Sequence, residues 1–194
     1  MGDWFQRVVD VQTSGADAEV QAARLRSWLI AERIIEPVLT DCVLGEPRGH
    51  PPGADFATAL ADGFTDENLA LTRTLWTNGM DISTGRQVYW VAEPVGPLTC
   101  PHCGHLEEMD HPQSRWNGAF NDAFTAWLAG GDGRVPCVSC NALVALNDWD
   151  WGPYPWAFGE LGITMWNWPP IAAEFVARVG DLLGDRVVYN CGKL

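Results

Sequence analysis

The stretch Leu98-Thr99-Cys100-Pro101-His102-Cys103-Gly104 is answered, further along the chain, by Pro136-Cys137-Val138-Ser139-Cys140-Asn141. Each contains a C-x-x-C, a spacing that puts two thiolates on one tight turn. Two such turns supply the four soft ligands that a tetrahedral zinc ion takes. The residue after each second cysteine, Gly104 or Asn141, tolerates the left-handed backbone such a turn requires. Four thiolates leave no position for water. The expected cofactor is therefore one structural Zn²⁺ per chain, held by Cys100, Cys103, Cys137 and Cys140, and not a catalytic ion. Iron would accept the same four sulfurs.

The doubled C-x-x-C resembles the knuckles of a zinc ribbon, and the resemblance spans residues 98–146. Other readings of these cysteines compete. Disulfides are one, less favoured in a chain that reads as cytoplasmic. A redox C-x-x-C is another, which ordinarily opens a helix in a βαβ unit. A third is a zinc nucleobase deaminase. His105-Leu106-Glu107 followed by Pro136-Cys137-Val138-Ser139-Cys140 matches H-x-E…P-C-x-x-C, where the histidine and two cysteines hold zinc and the glutamate shuttles protons. On that reading Cys100 and Cys103 have no role. His102 lies between two ligand cysteines and is expected in solvent; His105 or His111 could replace a cysteine as ligand.

Outside the cysteine module the pattern is mixed. Residues 4–12 are β-branched and aromatic, a strand. Ser14, with Asp17 three residues on, opens a helix over 16–35 whose buried stripe is Ala18, Ala22, Leu25 and Leu29. Residues 40–64 are irregular. A strand is expected over 69–76, a hairpin signal at Asn78-Gly79, and two strands, 80–83 and 86–91, across Thr84-Gly85. Within the module, 117–128 reads as a short helix with an aromatic face and 142–146 as a strand. Residues 161–168 form a strand, Pro169-Pro170 opens a helix with Ile171, Phe175, Val179 and Leu182 inward, Gly184 stops it, and 186–191 is the last strand. The expected fold class is α+β: a ferredoxin-like βαββαβ-type sandwich, residues 1–96 and 149–194, with a zinc-ribbon insert at 97–148.

The chain has 194 residues, 47% of them apolar and 19% charged, with a net charge of -13, so it is globular and acidic. Eleven arginines and a single lysine, Lys193, form no basic run, which argues against nucleic acid as partner. No apolar run reaches the ~18 residues of a membrane span, and no signal peptide opens the chain, so a cytoplasmic protein is expected. The Walker and dinucleotide glycine motifs, G-x-S-x-G and H-E-x-x-H are all missing. The stretches Thr40-Asp41-Cys42-Val43-Leu44-Gly45, Gly49-His50-Pro51-Pro52-Gly53 and Leu161-Gly162-Ile163-Thr164-Met165-Trp166-Asn167-Trp168-Pro169-Pro170 resemble uncharacterised proteins of high-GC bacteria. Some of those are labelled sugar-transporter ATPases; this chain lacks the phosphate loop that label requires, and the resemblance implies no residue roles.

Cys42 and His50 could pair as nucleophile and base, with Asp41 or Asp55 orienting the imidazole, or could be a buried thiol and a loop histidine. Cys191 is expected in the core. Five tryptophans, Trp149, Trp151, Trp156, Trp166 and Trp168, lie close in sequence and could fill a core, anchor an interface or stack on a sugar. Glu107, Glu108 and Asp110 follow the first knuckle. Residues 97–151 carry two arginines against seven acids, a surface suited to a basic protein. The leading expectation is a non-catalytic zinc-binding protein acting through protein–protein interaction, such as an inhibitor or immunity-type role against a basic partner. Trp149, Trp151, Trp156, Glu107, Glu108 and Asp110 are its expected contacts. The alternatives are a small hydrolase or deaminase using Cys42/His50 or His105/Glu107, and a carbohydrate-binding module using the tryptophans of 149–168.

Overall fold

The computed structural model describes residues 2–45, 48–92, 96–109, 118–153, 155–184 and 186–194. Its frame is a four-stranded antiparallel sheet of β1 (Trp4–Asp10), β2 (Met80–Tyr89), β7 (Ala157–Trp166) and β8 (Val187–Lys193), in the order β2-β7-β1-β8. β1 is central, with Val8 opposite Ile163 on one side and Tyr189 on the other. Alternation along β1 sends Val8 towards the helices and Phe5 and Val9 to the opposite face.

Helix α1 (Ala18–Ala31) buries Ala18, Ala22, Leu25 and Leu29, the stripe expected from their spacing. Ser14 does not cap it through its side chain; its hydroxyl donates to Asp17, and its carbonyl receives the Asp17 and Ala18 N–H groups. The helix ends short of residue 35 because Arg33 turns left-handed, at φ 57°. Helix α4 (Ala173–Leu183) begins after Pro169-Pro170 rather than on it, buries Phe175, Val179 and Leu183, and stops at left-handed Gly184. Trp28 of α1 stacks on Phe175 of α4 at 6.1 Å. These side chains and the sheet residues Val8, Leu161, Ile163 and Met165 form one core. Each fully buried large apolar side chain stabilises it by about 1.5–3 kcal/mol.

Two expected elements differ. Residues 69–76 are not a strand; α2 (Asp66–Thr74) is a helix. Thr65 and Asn68 form a reciprocal capping box, and Asp66 and Glu67 sit in the first turn, where they complement the helix dipole. Thr84-Gly85 is not a hairpin turn either. β2 runs through it, and a register shift between Thr84 and Gln87 absorbs Gly85 at φ 92° as a bulge. Asn78-Gly79 likewise joins no hairpin: both N–H groups donate to the carbonyl of Cys42. A Cβ at Gly79 would collide with the Cys42 sulfur, so the close approach demands glycine there.

The segment between β2 and β7, called the insert for its place in the chain order, carries two small hairpins, β3 (Leu98–Thr99) with β4 (Leu106–Glu107) and β5 (Arg134–Pro136) with β6 (Leu143–Ala145), and helix α3 (Ala119–Leu128) between them. They share a second hydrophobic core with Trp149, Trp151 and Phe158. The insert thus packs as one with the start of β7, past residue 148. Arg86 on β2 is the polar clasp. It donates to the carbonyls of Trp127 and Gly131 at the end of α3, both at 2.7 Å, and to Glu160 at 2.9 Å, while its guanidinium lies 4.2 Å over the Trp127 ring. Arg86→Met should remove all four contacts and leave the Glu160 carboxylate, 13% exposed, without its cation. We expect a loss of about 3 kcal/mol in urea denaturation; a change below ~0.5 kcal/mol would show that the clasp contributes nothing.

Candidate metal centre

Each C-x-x-C occupies the turn of one hairpin, and the two turns are built alike. The N–H of Cys100 donates to the carbonyl of His105, and the N–H of Gly104 donates back to the carbonyl of Cys100, each at 2.9 Å. In the second turn the N–H of Cys137 donates to Ala142 and that of Asn141 to Cys137, again at 2.9 Å. The residue after each second cysteine is left-handed, Gly104 at φ 71° and Asn141 at φ 58°. This is the geometry the residue types called for.

The turns bring four sulfurs together. The Sγ atoms of Cys100, Cys103, Cys137 and Cys140 all lie within 4.8 Å of one another. Cys100 and Cys140 are 3.9 Å apart, and Cys103 and Cys137 3.7 Å. A tetrahedron with Zn–S bonds of ~2.3 Å has edges of ~3.8 Å, so the cluster has the dimensions of a four-thiolate site. Cys100 and Cys137 are buried, at 1% and 0% exposure, against Leu98, Phe120 and Trp149; Cys103 and Cys140 face solvent. The backbone N–H of Cys140 holds the Cys137 thiol down at about 6 against its desolvation. Cys140 is pushed up to about 11: the Ala142 N–H draws it down, but desolvation and the three neighbouring sulfurs outweigh it. A divalent cation among four such sulfurs favours their thiolate form. The donor set fits zinc in a closed, structural coordination shell.

The deaminase constellation does not assemble. His105 lies 3.9 Å from Glu107, but it is not among the ligand groups of the cluster, where Cys100 and Cys103 stand instead. Four sulfurs fill the shell that a deaminase keeps open for water. Cys42 and His50 do not read as an activated pair. Burial raises the Cys42 thiol and lowers the His50 imidazole, so both are held neutral. His50 is buried, with Nδ1 2.8 Å from the carbonyl of Glu36, and its backbone pairs with Met80 on β2.

His50 carries a pH signature. Its folded value lies below the ordinary 6.5, so between the two values the unfolded chain binds the extra proton. This contribution to stability is complete above pH 6.5 and is lost as pH falls through 6.5 towards the folded value. His50→Asn should therefore lose less stability than wild type between pH 7.5 and 5.5 in parallel urea titrations. Equal losses would contradict a buried neutral imidazole.

Trp149 and Trp151 are 3% and 5% exposed, because they form the core of the insert. Trp149 meets Phe120 edge-on at 5.3 Å, and Trp151 stacks on half-buried Trp156 at 5.7 Å. Trp166 and Trp168 are buried as well. Trp149, Trp151 and Trp166 offer no face to a sugar or a partner. Among the described residues the exposed tryptophans are Trp4, Trp76 and Trp90, which no local pattern singles out. Of the expected acidic contacts, Glu107 is buried, Glu108 is exposed, and Asp110, like His111, lies outside the described residues. Cys191 is half-buried on β8, opposite Gln6, rather than core. Arg86 and Gln6 were missed as structural polar residues, since their partners are all distant in sequence. No helix among the described residues is long and apolar enough to cross a membrane. No family model, curated protein or solved structure matches the chain.

Proposed function

We propose that this chain is a zinc-stabilised interaction protein: one Zn²⁺, held by Cys100, Cys103, Cys137 and Cys140, fixes an acidic ribbon that docks on a basic protein surface. The observation that carries the reading is the four-sulfur cluster, built on two matching turns. A closed site is structural, so the module's surface is what remains to act. That surface displays Leu106, Val138 and Leu143 on the knuckle hairpins, with Glu108, Asp122 and Asp132 also exposed on the insert. Exposed apolar side chains among carboxylates suit a partner with an apolar centre and a basic rim. An inhibitor or immunity-type role is one form of this. The buried Trp149 and Trp151 are structural in this account, not contacts.

For the frame we propose the ferredoxin-like plan, with the ribbon inserted between β2 and β7. It is supported by the order β2-β7-β1-β8, antiparallel throughout, with α1 following β1 and α4 joining β7 to β8. Thiols committed to a metal fit a reducing, cytoplasmic setting.

The test is affinity capture from host extract with two baits, wild type and Glu108→Lys/Asp122→Lys/Val138→Ser. A basic protein retained at low salt by wild type and lost by the variant is expected. An identical captured set, with both baits holding zinc, would overturn the interaction reading.

A further inference from the structure

A cavity of about 490 Å³ opens between the ends of β1 and β8, the turn after β7 and Leu75, which follows α2. Its walls include Trp4, Leu75, Trp168, Pro170, Tyr189 and Cys191. The volume lies within the range of small-molecule sites, and three aromatic side chains suit a flat ring.

The hydrogen bonds around it define what can enter. Gln6 spends both amide hydrogens on the carbonyls of Trp168 and Pro169, at 3.1 and 2.9 Å. Asn167 spends both of its own on Asp3 and the carbonyl of Thr77, at 2.7 and 2.8 Å. The Tyr189 hydroxyl donates to Gln6 Oε1 at 3.0 Å, and the Trp168 indole N–H to the carbonyl of Asn78. Among the described residues, the donor left on the wall's side chains is the half-exposed Trp4 indole, since the weak Cys191 thiol is already engaged with the Tyr189 hydroxyl. Acceptors do remain: the Tyr189 oxygen keeps a lone pair, as does Asn167 Oδ1, whose one bond is from the backbone N–H of Trp4. Among the described residues, no arginine, lysine or carboxylate lines the wall. A carboxylate or phosphate would be stripped of water with too few donors to replace it. A neutral ring with one N–H or O–H would meet an acceptor.

We infer that this cavity is a binding site for a neutral aromatic small molecule carrying a single hydrogen-bond donor, of the indole or phenol class. The site is separate from the ribbon and goes beyond the interaction reading, which can fail or stand without it.

The test is calorimetric titration of the zinc-loaded protein with indole, phenol and benzoate. Benzoate is the charged competitor, because Lys193 Nζ lies 5.4 Å over the Trp4 ring at the rim. Indole and phenol should bind one per chain with a Kd of about 0.1–1 mM, and benzoate at least tenfold more weakly. Leu75→Trp, which fills the mouth from a half-exposed position, should abolish indole binding. Tyr189→Phe should weaken phenol several-fold and leave toluene unchanged. Thermal melts confirm that each variant is folded. No saturable indole or phenol binding would overturn the inference, as would benzoate binding the tighter or Leu75→Trp leaving indole affinity intact. Self-association in sedimentation that Leu75→Trp abolishes, without indole binding, would assign the cavity to a second copy of the chain and overturn it equally.

Discussion

Cys100→Ser is expected to abolish stoichiometric zinc binding and to unfold the inserted module while the four-stranded sheet persists. Cys100 is buried beneath the cluster, so a hydroxyl there can neither complete the sulfur tetrahedron nor reach water. Structural zinc contributes roughly 10–16 kcal/mol of apparent binding free energy, all of it folding free energy where the apo site is not preformed. Each hairpin of the insert has a ladder of only two or three residue pairs. Ladders that short do not stand alone. Hydrogen exchange on wild type and variant reads the outcome directly. Amides of β3, β4, β5 and β6 should lose protection by at least a hundredfold, whereas β1 and β7, which anchor the separate core under α1 and α4, should keep theirs. Full protection of both hairpins in the variant would show that the hydrophobic core of the insert suffices without metal.

The second large effect is expected at Phe158. This side chain, 1% exposed, projects from β7 into the insert. Its ring stacks on Phe124 at 5.2 Å, lies 5.8 Å from Trp151 and meets Trp127 edge-on at 6.4 Å. Its backbone N–H and carbonyl are held by the Asn147 amide, at 2.9 and 2.7 Å. Phe158→Ala opens a cavity where sheet and insert meet, where neither side can collapse without breaking the Asn147 bonds. The cost should be about 3–5 kcal/mol, a large share of the 5–15 kcal/mol that holds a domain folded. The melting temperature should fall by about 10 °C. Phe158→Leu, which keeps most of the volume, should recover more than half of the loss. A drop below ~2 °C for alanine would mean that sheet and insert are energetically independent.

These expectations rest on features of unequal visibility in the sequence. The thiol cluster was readable because its chemistry is local: each C-x-x-C pair and its left-handed follower, Gly104 or Asn141, specify a turn. The α1 and α4 faces were readable because helical spacing repeats over several turns. α2 was misread because partial alternation over so few residues fits either period, and only the Thr65–Asn68 cap decides it. The break expected at Thr84-Gly85 is a bulge because β7 pairs on both sides of it, a partner no local pattern reveals. The fate of the tryptophans was hidden for the same reason. Trp149 and Trp151 look exposed in an irregular, turn-rich segment, yet α3 and Phe158 cover them. Trp76, at the end of α2, is 75% exposed although nothing in its neighbourhood distinguishes it.

A single structural zinc on four thiolates can be weighed by native mass spectrometry of the untagged protein. The spectrum should show one zinc per chain, a mass deficit matching cysteine protons displaced from the cluster, and loss of the metal from Cys137→Ser. A folded, metal-free chain carrying two disulfides would contradict it.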